Sequence, residues 1–194
     1  MKFHFYPFSK QPISNWSGGS TRQLAIYPPG AELAKRNFVF RFSTATVEIE
    51  SSVFTKFENY RRCLMILEGE LKITHNNDPS ETLKPFHAHY FDGAWDTKAE
   101  GKVIDFNVIF SKKQAIDKVV VTNEQMELGA GKTFSTKPGN FIGIYVRSGK
   151  LEIGDALLSL NDFILMEWEQ GDQDLKIRAG ENATFILTEV MKQG

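Results

Sequence analysis

Arg62 is the residue whose neighbours best suit it to hold an anion. It lies in Tyr60-Arg61-Arg62-Cys63-Leu64-Met65-Ile66-Leu67-Glu68-Gly69-Glu70-Leu71-Lys72-Ile73, and on a strand it shares a face with the apolar Leu64 and Ile66. An inward guanidinium needs a carboxylate partner or a bound anion, because an unpaired buried charge costs several kcal/mol. Its planar fork suits a carboxylate. The structural alternative is a buried salt bridge with Asp105, Asp92 or a similar acid. Arg41 shares a face with Ser43 and Ala45, small residues that leave room for a ligand; a surface arginine on an edge strand is an equal reading. Asn107 lies in the otherwise apolar run 106–110, so backbone or ligand must satisfy its amide.

Other chemistry-bearing stretches are weaker. His87-Ala88-His89 puts two imidazoles on one face of a strand, which could hold a metal. No glutamate follows at three or four positions, and a surface or packing pair is the better reading. His4 and His75 stand alone in sequence and read as solvent-facing or structural. Gly129-Ala130-Gly131-Lys132-Thr133 imitates the end of a phosphate-binding loop, but Met126 stands where the first glycine belongs. Pro138 then stops any helix that would follow. Cys63 is flanked by arginines that would lower its pKa, yet it has no nearby His and reads as a small core residue. Asn15-Trp16-Ser17-Gly18-Gly19-Ser20-Thr21 offers an indole donor, hydroxyls and two glycines. A tight turn with a core Trp is slightly favoured there over a loop at a pocket rim.

The elements that must position these groups are strands. Phe38-Val39-Phe40-Arg41-Phe42-Ser43-Thr44-Ala45-Thr46-Val47 alternates two faces, both apolar or small, so both should be covered. Turn chemistry recurs at Ser17-Gly18-Gly19-Ser20, Pro28-Pro29-Gly30, Asn76-Asn77-Asp78-Pro79, Asp92-Gly93, Lys137-Pro138-Gly139-Asn140 and Gln170-Gly171-Asp172. Short strands between such turns predict an all-β sandwich or barrel. Residues 112–119 are the one helix candidate. Met65-Ile66-Leu67-Glu68-Gly69-Glu70-Leu71-Lys72-Ile73 is echoed by Tyr145-Val146-Arg147-Ser148-Gly149-Lys150-Leu151-Glu152-Ile153, eighty residues on. That period is too long for a solenoid and suits two similar β-domains, expected at 1–120 and 121–194, with the N-terminal strand free to cross over. The first carries the candidate pocket and the second is the shorter, structural half.

Bulk properties narrow the function. The 194 residues carry a net charge of −1 with 41% hydrophobic and 24% charged content, leaving no field to draw nucleic acid or anionic membrane. Sixteen phenylalanines favour aromatic-lined strands and cavities. A single cysteine excludes an internal disulfide. No stretch reaches the roughly 18 apolar residues of a membrane span, and the N-terminus lacks the apolar run of a signal peptide. The expectation is a cytoplasmic protein.

The hinge at Gly69 resembles the core hairpin of a cupin barrel. Metal-dependent cupins carry a glycine, two histidines spaced H-x-H, and a glutamate seven positions before the hairpin glycine. Seven before Gly69 stands Arg62, and 55–58 reads Thr55-Lys56-Phe57-Glu58 without histidine. Metal ligands here are neutral imidazole or carboxylate, and a guanidinium cannot ligate. Asn15-Trp16-Ser17-Gly18-Gly19-Ser20-Thr21, Phe40-Arg41-Phe42-Ser43-Thr44-Ala45, Phe54-Thr55-Lys56-Phe57, Tyr60-Arg61-Arg62-Cys63-Leu64, Phe91-Asp92-Gly93 and Asp105-Phe106-Asn107-Val108 together resemble the successive motifs of the HutD/Ves family. The resemblance implies two cupin-like barrels, no demonstrated enzymatic activity, and a metabolite-sensing role connected with histidine utilisation. Urocanate or formylated glutamate derivatives are the first ligands it suggests. Where the family commonly has Asp before the hairpin arginine, this chain has Arg61, which would add positive charge near the pocket.

The expectation is therefore a bicupin without metal, cofactor or catalytic residues, binding a small carboxylate metabolite. Arg62 would clamp the anion, Arg41 and Asn107 would add polar contacts, and Phe54, Phe91 and Trp16 would form apolar walls. The alternative is a metal-dependent cupin isomerase or dioxygenase using His87 and His89. A structural protein with a filled lumen is a third reading. Barrel edges leave a homodimer open.

Overall fold

Alternating β-branched and aromatic residues, interrupted every few positions by Gly, Asn or Asp, favour extended chain with sharp corners. The computed structural model of the chain describes residues 1–171 and 174–193 and is built from strands. In order these are β1 (Lys2–Tyr6), β2 (Ile13–Trp16), β3 (Gly19–Tyr27), β4 (Phe40–Val47), β5 (Ser51–Val53), β6 (Tyr60–Glu68) and β7 (Leu71–His75). There follow β8 (Glu81–Leu83), β9 (Ala88–Asp92), β10 (Thr97–Glu100), β11 (Val103–Ser111), β12 (Ile116–Met126) and β13 (Gly131–Phe134). The chain ends with β14 (Phe141–Ser148), β15 (Leu151–Ile153), β16 (Ala156–Leu158), β17 (Phe163–Glu167), β18 (Leu175–Ala179) and β19 (Ala183–Lys192). Helix among the described residues is limited to a three-residue 3₁₀ turn, Phe8–Lys10, and none is long and apolar enough to cross a membrane.

Two compact units divide the chain: Pro12–Ala115, and Met1–Gln11 together with Ile116–Gly194. In the first, a six-stranded sheet β2-β3-β4-β11-β6-β9 faces a four-stranded sheet β5-β10-β7-β8. Val47, Leu64, Ile66 and Phe91 from one sheet meet Leu71, Ile73, Leu83 and Ala99 from the other in a single core cluster. In the second, a five-stranded sheet β1-β17-β14-β19-β12 faces β13-β18-β15-β16. Ile142, Ile144, Phe185 and Leu187 pack there on Leu151, Ile153, Leu158 and Ile177. The strand orders match term for term: β4-β11-β6-β9 is repeated as β12-β19-β14-β17, and β5-β10-β7-β8 as β13-β18-β15-β16. β1 joins the second unit by pairing with β17.

Three sequence readings are corrected. The helix at 112–119 is absent: β12 starts at Ile116 and runs antiparallel to β19. Its Val119 and Val121 alternate into the interior, and this tertiary pairing overrides weak local propensity. The stretch around Gly69 is not a hairpin, because β6 pairs with β11 and β9 while β7 pairs with β10 and β8. Gly69 is a corner that carries the chain from one sheet to the other. Its φ of +84° and the approach of the Lys102 carbonyl, 2.6 Å from where a Cβ would stand, explain the glycine. Gly149, φ +71°, turns the equivalent corner against the Asn182 carbonyl. Third, Trp16 is 39% exposed and is not a core residue. The turn read at Gln170-Gly171-Asp172 ends on Asp172, outside the described residues.

Candidate ligand-binding site

Period-two alternation puts the polar residues of three neighbouring strands on one interior face. Arg41 of β4 and Arg62 of β6 both stand opposite Ile109 of β11. One step along, Ser43 and Leu64 flank Asn107, and one step further Ala45 and Ile66 flank Asp105. Apart from Leu64 and Ile66, which pack into the core cluster, these residues line a cavity of about 340 Å³ in the first unit, together with Trp16, Thr21, Phe54 and Phe57. Arg62, Arg41, Asn107, Trp16 and Phe54 are thus brought together. Phe91 stands behind them, with its ring centroid 5.2 Å from the Arg62 Cζ and 6.3 Å from the Phe54 ring.

Arg62 is buried, with Phe54 at 4.6 Å and Phe91 at 5.2 Å from its Cζ. Aromatic rings attract the cation but accept none of the hydrogen bonds in the guanidinium plane. The Nε is buried without a partner. No ion pair supplies one among the described residues. Asp92 is engaged by Lys112 at 2.5 Å, and Asp105 acts on Arg62 through its field. Burial pulls the guanidinium down to about 10, with Asp105 opposing and Arg41 adding to the fall. Arg41 is also lowered to about 10 by burial, but its hydrogen bonds are placed: Nε donates to Gln23 Oε1 at 2.9 Å and Nη1 to Ser43 Oγ at 3.1 Å. Two of its five N–H donors are thus engaged, whereas Arg62 has none placed among the described residues.

Asp105 was legible only as a salt-bridge partner, although it shares the parity of Asn107. Burial raises its carboxyl to about 7 against the pull of Arg62 and a backbone N–H of Ala45. Asn107 Oδ1 is buried without a hydrogen bond. Arg62 and Asn107, which carry this desolvated donor and this desolvated acceptor, both line one cavity, and a matching ligand that reached these atoms would relieve their cost. Arg61, by contrast, is exposed and stands across from Asp92 on β9, so its charge lies outside the cavity. Burial pushes the Cys63 thiol up to about 12, which makes it an unreactive core group.

The histidines pair differently from the expected i, i+2 arrangement. His87 is exposed, with Nδ1 3.0 Å from the Pro85 carbonyl. His89 meets His75 instead, Nε2 to Nε2 at 2.8 Å. The ring centroids are 5.1 Å apart and the planes differ by 5°. The centroid separation exceeds the nitrogen contact by two ring radii, so the imidazoles lie edge to edge in one plane and share an N–H···N bond. His89 Nδ1 lies 2.7 Å from Glu81 Oε1 and His75 Nδ1 lies 2.9 Å from Thr97 Oγ1. A consistent chain runs from the Thr97 hydroxyl through His75 and His89 to Glu81. Burial lowers both pKa values, which favours the neutral rings this chain needs. Both rings pack on Phe91, at 4.6 and 5.6 Å, and so brace the wall behind Arg62.

A cupin metal does not fit this face. Arg62, seven before Gly69, holds a guanidinium where a ligating carboxylate would stand, and no three His, Cys, Asp or Glu side chains cluster for a metal among the described residues. The second unit supplies an internal control. With Gly149 matched to Gly69, the strand registers match Arg62 to Ile142, Asn107 to Leu187 and Asp105 to Phe185, all buried in the apolar core. The same strand topology closes without the polar set.

The HutD family model matches residues 8–185. The chain belongs to the HutD family. No curated protein sequence matches it. Among solved structures it is similar to HutD from Pseudomonas fluorescens SBW25, with 18% identity, TM-score 0.77 and 100% of both chains covered. A conserved protein of unknown function from Pseudomonas aeruginosa PAO1 gives 21% identity and TM-score 0.81, over 98% of this chain and 99% of that one. The bacterial pirin YhhW from Escherichia coli, solved in complex with nickel(II), gives 9% identity and TM-score 0.74, over 99% and 100%. At these identities the likeness establishes the fold: all-β and cupin-like.

Proposed function

We propose that this HutD-family chain is a non-enzymatic, metal-free bicupin that binds a small carboxylate metabolite in its first unit and senses its level, in a regulatory role tied to histidine utilisation. The observation that carries the reading is the orphaned Nε of Arg62, a buried residue that packs beside two aromatic rings and lines a cavity. An interior cation without an acceptor is costly, and the fold does not require it, since Ile142 holds the matching position. A carboxylate lying in the guanidinium plane would supply two charge-assisted hydrogen bonds, with the Phe54 and Phe91 rings adding cation–π contact. The volume, about 340 Å³, lies near the low end for ligand pockets and suits a metabolite rather than a peptide.

The test is a thermal-shift panel of short carboxylates, each paired with its methyl ester. A ligand that binds only the folded state raises the melting temperature with concentration, by about 2.7 kcal/mol of stabilisation at a hundred times Kd. Carboxylates are expected to stabilise and their esters not. Equal shifts for both members of each pair would remove the anion clamp.

A further inference from the structure

The cavity is polarised along β11, and this limits what the far end of the ligand can be. Resting on the carboxylate reading above, we propose that the ligand carries, beside its carboxylate, a second group that donates hydrogen, an N–H of an amide, imidazole or amine, received by Asn107 Oδ1 and the Asp105 carboxyl. The donors and the acceptors of the site are segregated by register. Arg41 and Arg62 occupy the row of Ile109, whereas Asn107 and Asp105 sit two and four residues along the same strand face. At 3.3–3.4 Å per residue these rows lie roughly 7 and 13 Å from the Ile109 row. Arg41 is partly engaged by Gln23 and Ser43, whereas Arg62 has an orphaned Nε and is the better placed to take the carboxylate. Asn107 Oδ1 is a buried acceptor with no donor, and a ligand that brings an N–H would satisfy it where a carboxylate oxygen would not.

A second carboxylate at that end is disfavoured. It would place acceptor against acceptor at Asn107 and charge against charge at Asp105. The charged group acting on Asp105 is Arg62 from β6; Arg41 from β4 is the other charged group lining the cavity, and the neighbours Asn107, Ala45, Ser43 and Thr21 carry no charge. A proton on Asp105 removes the charge repulsion and turns the group into a donor. The selectivity against dicarboxylates should therefore relax below about pH 7.

Three five-carbon probes separate the possibilities: glutaramate with a carboxylate and an amide N–H, glutarate with two carboxylates, and pentanoate with one carboxylate alone. Each is titrated calorimetrically into the unmodified protein at pH 8 and pH 6. Glutaramate is expected to bind at least tenfold tighter than either other probe at pH 8, with its lead over glutarate shrinking at pH 6. Asn107→Leu should abolish the lead over pentanoate, while Asn107→Asp, which keeps the acceptor, should retain it. If pentanoate or glutarate matches or exceeds glutaramate at pH 8, the donor assignment falls and the carboxylate reading stands. If none of the three binds, both fall together.

Discussion

Asp105 shares the cavity with Arg41 and Arg62, and its titration has a sign that can be checked. Its folded pKa, about 7, lies above its ordinary 3.8 because burial disfavours the charged form. Such a group stabilises the folded chain fully below the ordinary value and loses that contribution as pH rises through about 7. His75 and His89 act in the opposite sense, since their lowered values leave the unfolded chain holding more protons near pH 6. Subtracting the Asp105→Asn variant isolates the carboxyl. Denaturant melts should show the variant gaining on the parent between about pH 4 and pH 7, by a few kcal/mol in total, and no further above pH 8. Parallel stability curves across that range would contradict the burial of an ionisable group there. Arg62 was legible at this scale because parity with Leu64 and Ile66 fixes its direction. The His75–His89 pair was not. The two residues lie on strands of different sheets, and no one-strand period reports a contact across the sandwich.

At the scale of elements, the informative residues are the corner glycines. Alternation on both sides of Gly69 marked two strands, but a glycine between strands reads the same whether the chain folds back on its neighbour or crosses to the opposite sheet. The partners of β6 and β7 decide it, and β10 and β11, which pair with them, lie tens of residues further along the chain. The helix expected at 112–119 failed for the same reason, because pairing with β19 settles that segment. Gly69→Ala should destabilise more than Gly30→Ala. Both glycines have φ near +85°, but Gly30 has open space around it whereas Gly69 faces the Lys102 carbonyl. The left-handed backbone alone costs roughly 1–2 kcal/mol, and displacing the carbonyl should add about 1–3 kcal/mol at Gly69. Urea melts of the two variants measure the difference. Equal loss would mean that the corner yields freely and does not fix the crossing.

For the whole molecule, one strand order is used twice with two kinds of interior. The echo around Gly69 and Gly149 made the repeat legible in sequence, and the register then exposes the contrast of Arg62, Asn107 and Asp105 with Ile142, Leu187 and Phe185. Replacing buried charges by apolar side chains is often neutral or stabilising, so the second unit is filled in the way the first would be if folding alone chose its residues. On the proposed reading, the polar face of the first unit is what the fold carries for function. The most direct measurement is calorimetric titration of the carboxylate giving the largest thermal shift into the parent and into Arg62→Ala, with melting curves confirming that both are folded. Two lost charge-assisted hydrogen bonds, at roughly 1.5–3 kcal/mol each, predict affinity weakened by at least about tenfold. Equal affinity for the two proteins would contradict the account and leave Arg62 a structural cation held by Phe54 and Phe91.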